Sequence, residues 1–390
     1  MTTATTRQAE STGSPVLMMA FELAEKYWKL GFTTGTAQRA RRRQIPARDV
    51  ERLERIDSGI DDEEPPVVDP AEVRRGLGLA PDAPVMSCYE AGREGFWLHR
   101  WLVAHGVHNV VVDSSSIEVN RRARRTKTDR VDLDGLLRLL ARYLAGERHA
   151  WSVVHVPSVT AEDTRHLERE LETVKQDRTR IVNRVRGLLA TQGVRLPITA
   201  TLPEKLVAVR LWNGDPLPAG LHARLRREWQ QLQRLQVRIT ALGVLRRKQL
   251  RTDRVAGPLL TLRGVGESGA AVLTSEFFGW RQFRNPRQVG ALSGLTPTPH
   301  RSGDLIREQG IGKAGNRRVR AVMIQLGWAW LRFQPLSALA RWYQQRFGDG
   351  GARVRRIGIV ALARKLLVAF WRYVDAGIVP EGATLKAIAA

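Results

Sequence analysis

The chain has 390 residues and carries 63 Lys and Arg against 39 Asp and Glu, a formal net charge of +24. That length allows two or three domains with cores of their own. The charge calls for a polyanionic partner, nucleic acid ahead of a membrane surface, and a lone cysteine, Cys88, excludes an internal disulfide and a Cys-rich zinc site.

The eight histidines are scattered, which argues against zinc of any kind. No apolar run is long enough to span a bilayer and no signal-peptide pattern opens the chain, so a cytoplasmic protein without a membrane partner is expected. Residues 1–14 are rich in Thr, Ser, Gln and Gly and read as a disordered tail. An apolar run at 16–21 leads to Glu22, and 27–32 follows with Tyr27 and Trp28. The pair predicts a β-hairpin, its first strand buried and its second alternating. A third, basic strand is predicted within 38–45 and a short helix over 46–56. Residues 61–66, acidic and Pro-rich, read as a loop. Residues 85–89 form a further apolar strand that runs out on Glu90; 96–105 fit an amphipathic helix and 107–112 another strand.

Residues 121–134 begin as a basic run, with Arg121, Arg122, Arg124, Arg125 and Lys127, and turn directly into carboxylates. Leu133, Leu136, Leu137, Leu139, Leu140 and Leu144 then recur at helical spacing, so a helix is predicted to start near Thr128 as N-cap. Asp129 and Asp132 share one face of it. Paired carboxylates beside Arg and Lys suit a hard divalent cation holding a phosphate. The bland alternative is that the acids cap the helix dipole while the arginines form a solvated face. Strands alternating with helices imply an α/β layer, in which ligands gather at the carboxyl ends of strands. Glu22 and Glu90 stand at such ends, so four carboxylates can converge at one edge. Each alone is an ordinary strand-end residue.

Residues 151–156 are read as a last strand, closed by Pro157, and residues 160–163 (Thr-Ala-Glu-Asp) as a capping box. Leu167, Leu171, Val174, Ile181, Val185 and Leu188 follow a 4-3 spacing that Arg178 interrupts. After a Pro/Gly-rich connection, 196–220, a second such helix carries Leu225, Trp229, Leu232, Leu235, Ile239 and Leu242. The two seams serve either intramolecular pairing or dimerisation. Residues 259–266 read as a helix end, a Gly264/Gly266 turn and a new helix whose N-terminus offers N–H groups to a phosphate. Residues 294–303 look poorly suited to regular structure, and 310–318 form a second Gly-rich basic turn before a helix over 319–333. Two helices, 336–347 and 357–374, complete the chain; Trp328 and Trp330 read as core, with base stacking left open.

The motifs Phe21-Glu22-Leu23, Tyr89-Glu90-Ala91-Gly92, Lys127-Thr128-Asp129-Arg130-Val131-Asp132, Gly264-Val265-Gly266, Gly294-Leu295-Thr296-Pro297, Arg301-Ser302-Gly303 and Gly312-Lys313-Ala314-Gly315-Asn316 go further together. Over residues 16–347 the chain resembles the transposases of insertion-sequence family one-hundred-and-ten, the bridge-RNA-guided recombinases. The resemblance implies an α/β RNase H-like (RuvC-like) catalytic domain over 15–157, a helical coiled-coil region over 158–254 and a mainly α C-terminal transposase domain over 255–390. It implies an acidic tetrad at Glu22, Glu90, Asp129 and Asp132 that binds Mg²⁺, and a nucleophilic serine at Ser302. Further implied are a bridge-type guide RNA, donor and target double-stranded DNA, and a tetramer (a dimer of dimers) in which subunits share sites. The tetrad's first member is usually Asp; Glu22 keeps the charge and adds a methylene.

No clear base lies near Ser302 in sequence: His300 and Asp304 are the nearest candidates. A carboxylate-bound cation from another domain would meet that need. Arg301, Lys313 and Arg317 are candidates for neutralising phosphate charge. Two other classes remain: a RuvC-like metal nuclease or junction resolvase in which Ser302 is incidental, and a non-enzymatic nucleic-acid-binding descendant.

Overall fold

The computed structural model describes residues 16–35, 40–49, 74–75, 77–117, 129–302, 305–312 and 315–386; at 115, 129–131, 298–302 and 305–309 it describes the backbone alone. The tail 1–14, the helix expected over 46–56 beyond residue 49, the acidic loop 61–66 and the basic run 121–127 lie outside the described residues. The chain divides into two compact units, Met1–Val156 and Pro157–Ala390.

The first unit is built on a five-stranded sheet. Strands β1 (Leu17–Leu23), β2 (Tyr27–Thr33) and β3 (Arg41–Pro46) run antiparallel in sequence. Strand β4 (Val85–Glu90) pairs parallel with β1, and β5 (His108–Val112) parallel with β4, giving the order β3-β2-β1-β4-β5. Both faces are covered. On one, Leu17, Met19, Phe21, Trp28, Leu30, Tyr89 and Val111 pack with Leu98 and Leu102 of α1 (Trp97–Ala104). On the other, Met18, Ala20, Cys88 and Val112 pack under Leu133, Leu136, Leu137 and Leu140 of α2 (Asp129–Leu144). Arg42 of β3 donates to both carboxylate oxygens of Asp134, at 2.8 and 2.6 Å, which pins α2 over the sheet.

Two expectations are corrected. Strand β2 does not alternate: Leu30, Gly31, Phe32 and Thr33 are all buried, as in a strand with layers on both sides. Leu133 and Leu137 of α2 pack over Gly31, where a Cβ would stand 2.9 Å from Leu137 Cδ1 and 3.1 Å from Leu133 Cδ2. Residues 151–156 make only a single antiparallel bridge, Val153 to Val112, and are not a strand. They lie at the outer edge of β5, where a half-exposed Val153 and the coming Pro157 give little to extend a ladder.

In the second unit α3 (Val159–Ala190) and α5 (Ala219–Thr252) form a helical hairpin, each about 50 Å long at 1.5 Å per residue. Leu171, Val174, Ile181 and Val185 meet Leu225, Leu232, Leu235 and Leu242 in one buried seam, so within this chain the two apolar faces satisfy each other. Arg238 on Glu170 at 2.6 Å and Arg184 on Glu228 at 2.8 Å show the antiparallel sense. Arg178, which interrupts the apolar spacing, donates to Gln236 instead. The connection is not all loop: α4 (Leu202–Ala208) closes the end of the seam with Leu202 and Leu206. The N-cap of α3 is Ser158, whose Oγ accepts from Ala161 N at 3.1 Å; it displaces the capping box expected at Thr160.

Beyond it come α6 (Ala256–Thr261), α7 (Glu267–Leu273) continuing into one π turn (Thr274–Phe278), and α8 (Pro286–Ser293). A β-hairpin follows, β6 (Pro297–Ser302) and β7 (Leu305–Ile311), then α9 (Arg317–Phe333), α10 (Ala338–Phe347) and α11 (Ala352–Ala376). Leu259, Leu273, Phe277, Val289, Val319, Met323, Trp330, Leu366 and Phe370 form their common core. Trp330 is core, with Nε1 donating to Ser337 Oγ at 2.8 Å, whereas Trp328 is half exposed. The hairpin overturns the irregular loop expected over 294–303. Pro297 and Pro299 sit in a two-stranded ladder that has only edge strands, where a missing N–H is tolerated, and the register shifts between them.

Candidate active site

The parallel pairing of β1 and β4 sets Phe21 opposite Tyr89, so Glu22 and Glu90 are next in register. Side chains alternate along a strand, so both carboxylates share the α2 face with Met18, Ala20 and Cys88. Neighbouring strands lie about 4.8 Å apart, close enough for two carboxylates to hold one cation. Glu22 is half-buried and faces Lys29 across β2, while Glu90 is exposed. The helix above them opens on Asp129 and has Asp132, half-buried, in its first turn. The next residue, Leu133, rests on Gly31, which pairs with Ala20 two places before Glu22. Thus Glu22 and Glu90 are brought together by the sheet, and Asp132 stands in the helix that crosses it. The Asp129 side chain lies outside the described residues. Among the described residues no group of three or more His, Cys, Asp or Glu is gathered closely enough to hold a metal.

One further acid follows the same rule of position and escapes a reading by motif. Asp113 comes directly after β5, the third parallel strand of the sheet. Its backbone N–H donates to Ser152 O at 2.9 Å.

Ser302 ends β6 and pairs with Leu305; Arg301 pairs with Ile306. The base of this hairpin is held at three points. Pro297 pairs with Ile311, Gly312 N donates to Thr296 O at 3.1 Å, and Asn316 N donates to Leu292 O at 2.9 Å. Gly315 has φ +91°, and a Cβ there would lie 2.6 Å from Leu292 O and 2.7 Å from Gly294 N. Only glycine serves at such a position. Asn316 Oδ1 then caps α9, accepting from Arg318 N at 2.9 Å and Val319 N at 3.2 Å. Arg317 is exposed at the start of that helix, and Lys313 lies outside the described residues.

Behind the hairpin base lies Glu276, buried within the π turn. Arg169 of α3 donates to its two oxygens at 2.8 and 3.2 Å, and Asn316 Nδ2 donates at 3.1 Å. Burial would raise the Glu276 carboxyl, but the hydrogen bond and charge of Arg169, with Asn316 and Arg318, outweigh it and hold the group below its ordinary value. The sequence signal for this residue is a single carboxylate inside an apolar run, residues 270–278. A cavity of about 280 Å³ lies on the other side of the π turn, lined by Glu168, Arg246, Asp253 and Thr274 among others. There burial pushes the Glu168 carboxyl up, against the charge of Arg246.

Gly264 and Gly266 form the turn between α6 and α7 as expected. Gly264 has φ +90°, and a Cβ there would stand 3.3 Å from Ala329 O and from Phe333 Cβ, so its backbone conformation and the closeness of α9 account for the glycine. Gly266 is the N-cap of α7. The residues Arg121, Arg122, Arg124, Arg125 and Lys127 lie outside the described residues. Among the described residues no helix is long and apolar enough to cross a membrane.

Residues 256–343, which include the Gly264 turn, the hairpin and the Asn316 cap, match the family described as Transposase IS116/IS110/IS902. The chain is 42% identical over 318 residues to the putative transposase y4rJ of Sinorhizobium fredii, covering 78% of this chain and 80% of that protein. It is 31% identical over 232 residues to a probable family 20 transposase of Pseudomonas aeruginosa, covering 58% and 68% of the two chains. It is 25% identical over 215 residues, 55% of this chain and 63% of the other, to the transposase for insertion sequence element IS1328 of Yersinia enterocolitica. With 78% of the chain covered by the first of these likenesses and the hairpin and the Asn316 cap inside the family match, the chain belongs to the IS116/IS110/IS902 family of insertion-sequence transposases.

Proposed function

We propose that this transposase is an RNA-guided recombinase that cuts and rejoins donor and target DNA through a covalent phosphoserine at Ser302, assisted by the acids of an RNase H-like (RuvC-like) N-terminal unit. The observation that carries the phosphoryl-transfer reading is the side-by-side placement of Glu22 and Glu90 at the ends of parallel strands, under the helix that opens on Asp129 and Asp132. A donor set made only of carboxylates suits a hard cation, and Mg²⁺ is the ion these four residues would hold. When bound, it would supply Lewis-acid activation of a hydroxyl and neutralise phosphate charge.

The serine Oγ forms a bond to phosphorus as the P–O3′ bond breaks, leaving a 5′-phosphoserine and a free 3′-hydroxyl. The proton from Oγ passes to a carboxylate or to water, and the departing 3′-oxygen is protonated in turn. Attack by a 3′-hydroxyl of the other DNA reverses these steps, joins the strands and restores the serine. Bonds broken equal bonds made, so no external energy source is needed. Arg301, Lys313 and Arg317 stabilise the charge that builds on the phosphate.

Ser302 and the acids belong to different compact units of the chain. A tetramer in which one subunit's serine meets another's acids would therefore cut only once assembled. The guide RNA is the partner that the +24 charge and the family resemblance support, with Arg121, Arg122, Arg124, Arg125, Lys127 and the Gly264/Gly266 turn as its contacts or those of DNA.

The test mixes Ser302→Ala protein with Asp129→Asn protein on paired donor and target DNA. Mixed assemblies are expected to regain cleavage that neither parent shows. No cleavage in any mixture, while each parent still binds RNA and DNA, contradicts the shared site. Sequencing RNA that co-purifies with the protein tests guidance; a random sample of cellular RNA would contradict it.

A further inference from the structure

We infer that Glu276 is a positioning residue for the β6–β7 hairpin, tying it to α3, and so sets the direction in which Ser302 is presented; the catalytic half of this rests on the serine reading above. Glu276 lies where α7 widens into a π turn, closed by the Gly279 N–H donating to Thr274 O at 2.9 Å. A side chain at Gly279 would stand 2.6 Å from that same oxygen, so the widened turn depends on glycine there. Single π turns of this kind are frequent at functional sites. The re-aimed carboxylate is 3% exposed and receives three N–H groups, two from Arg169 and one from Asn316.

Asn316 is the link to the hairpin. Its amide group donates to Glu276, its carbonyl oxygen caps α9, and its backbone N–H fixes the end of α8 through Leu292 O. The hairpin leaves α8 through Gly294 and returns to α9 through Gly315, both in the left-handed region, so its two feet turn about this residue. One helical turn beyond Arg169, Glu172 accepts from Arg318 Nε at 2.6 Å, so α3 meets the start of α9 directly there and through Glu276 at Asn316. A movement of α3 therefore reaches the base of the strand that ends in Ser302 through charged, directional bonds. An apolar contact would hold the parts together without fixing their angle. A buried carboxylate is costly to desolvate, and its value here lies in that fixed geometry.

The experiment measures hydrogen exchange in full-length protein over residues 297–302 and 305–311, beside single-turnover covalent adduct formation on saturating DNA. In Glu276→Gln the hairpin amides are expected to exchange about tenfold faster, while the α3–α5 seam keeps its protection and DNA affinity is unchanged. The adduct rate should fall by about tenfold at saturating DNA, as misplacement of a nucleophile predicts. Arg169→Gln, at the half-exposed end of the clamp, should shift both readouts in the same direction, and it decides the matter if Glu276→Gln does not fold. Unchanged hairpin exchange in the folded variants, or protection lost evenly over the whole unit, overturns the inference. If wild-type protein forms no serine adduct yet hairpin exchange responds as stated, the serine reading fails and the coupling stands.

Discussion

Ser302 is paired with Leu305 across the β6–β7 ladder. The proposed nucleophile thus ends a hydrogen-bonded strand whose feet are bound to two helices. The feet are held by Gly312 N on Thr296 O and by Asn316 N on Leu292 O.

Gly315→Ala should destabilise the second unit by roughly 2–3 kcal/mol, because the added methyl meets Leu292 O at 2.6 Å in a left-handed backbone. Gly310→Ala, with nothing within 4 Å of the new Cβ, should change stability by under about 0.5 kcal/mol. Urea unfolding of the two variants compares them directly; equal midpoints would show that the close approach at Gly315 does not constrain the hairpin base.

A second prediction concerns Gly31, on which α2 rests. Gly31→Val should cost about 1–3 kcal/mol by overpacking against Leu133 and Leu137. Because the same helix carries Asp129 and Asp132, Mg²⁺-dependent cleavage should fall further than the loss of folded protein explains. Cleavage per folded molecule equal to wild type would separate the helix position from the chemistry.

Two acids of the second unit, Glu276 buried and Glu168 half-buried, should respond to pH with opposite signs. Glu276 is held below its ordinary value, chiefly by Arg169 working against burial, so its stabilisation is present above the unfolded carboxyl range and is lost as pH falls through its folded value. The stability gap between wild type and Glu276→Gln should therefore be widest near neutrality and close in acid. Glu168 is pushed up by burial, so its ionisation costs stability as pH rises through its raised value. Glu168→Gln should match wild type in acid and match or exceed it near neutrality. Thermal unfolding from pH 3 to 8 reads both; a neutral-pH loss in Glu168→Gln would assign that carboxylate a structural ion pair with Arg246, 3.8 Å away.

The strands and helix that position Glu22, Glu90 and Asp132 were legible because burial imprints apolar runs and leucine spacing on the sequence. The antiparallel pairing of α3 with α5 is one of the two uses that spacing alone leaves open, since a 4-3 seam looks the same within one chain or between two. Strands β6 and β7 are hidden by Pro297 and Pro299, residues that signal turns but that a two-stranded, edge-only ladder accepts. Ser158 carries little cap signal of its own, because Pro157 and Thr160 on either side of it mark the helix start equally well. Glu276 was missed for a different reason: its partners, Arg169 and Asn316, lie 107 and 40 positions away, and no local pattern reports a pair of that separation.

The acids themselves supply a fourth prediction. Glu90→Gln and Asp132→Asn should each abolish strand cleavage, leaving unfolding and RNA affinity nearly unchanged, since each removes charge and keeps volume. Gel-shift titrations beside a cleavage time course separate the two effects, and full cleavage in either variant would remove that residue from the metal set.

The measurement that bears most directly on the account is the identity of the protein–DNA bond. Denaturing the reaction in mid-course, digesting the protein and sequencing the nucleotide-bearing peptide by mass spectrometry should place a 5′-phosphate ester on Ser302, absent from Ser302→Ala. Cleavage that proceeds with no covalent adduct, or an adduct on another residue, would contradict a serine recombinase and favour a metal-dependent nuclease built on the same sheet.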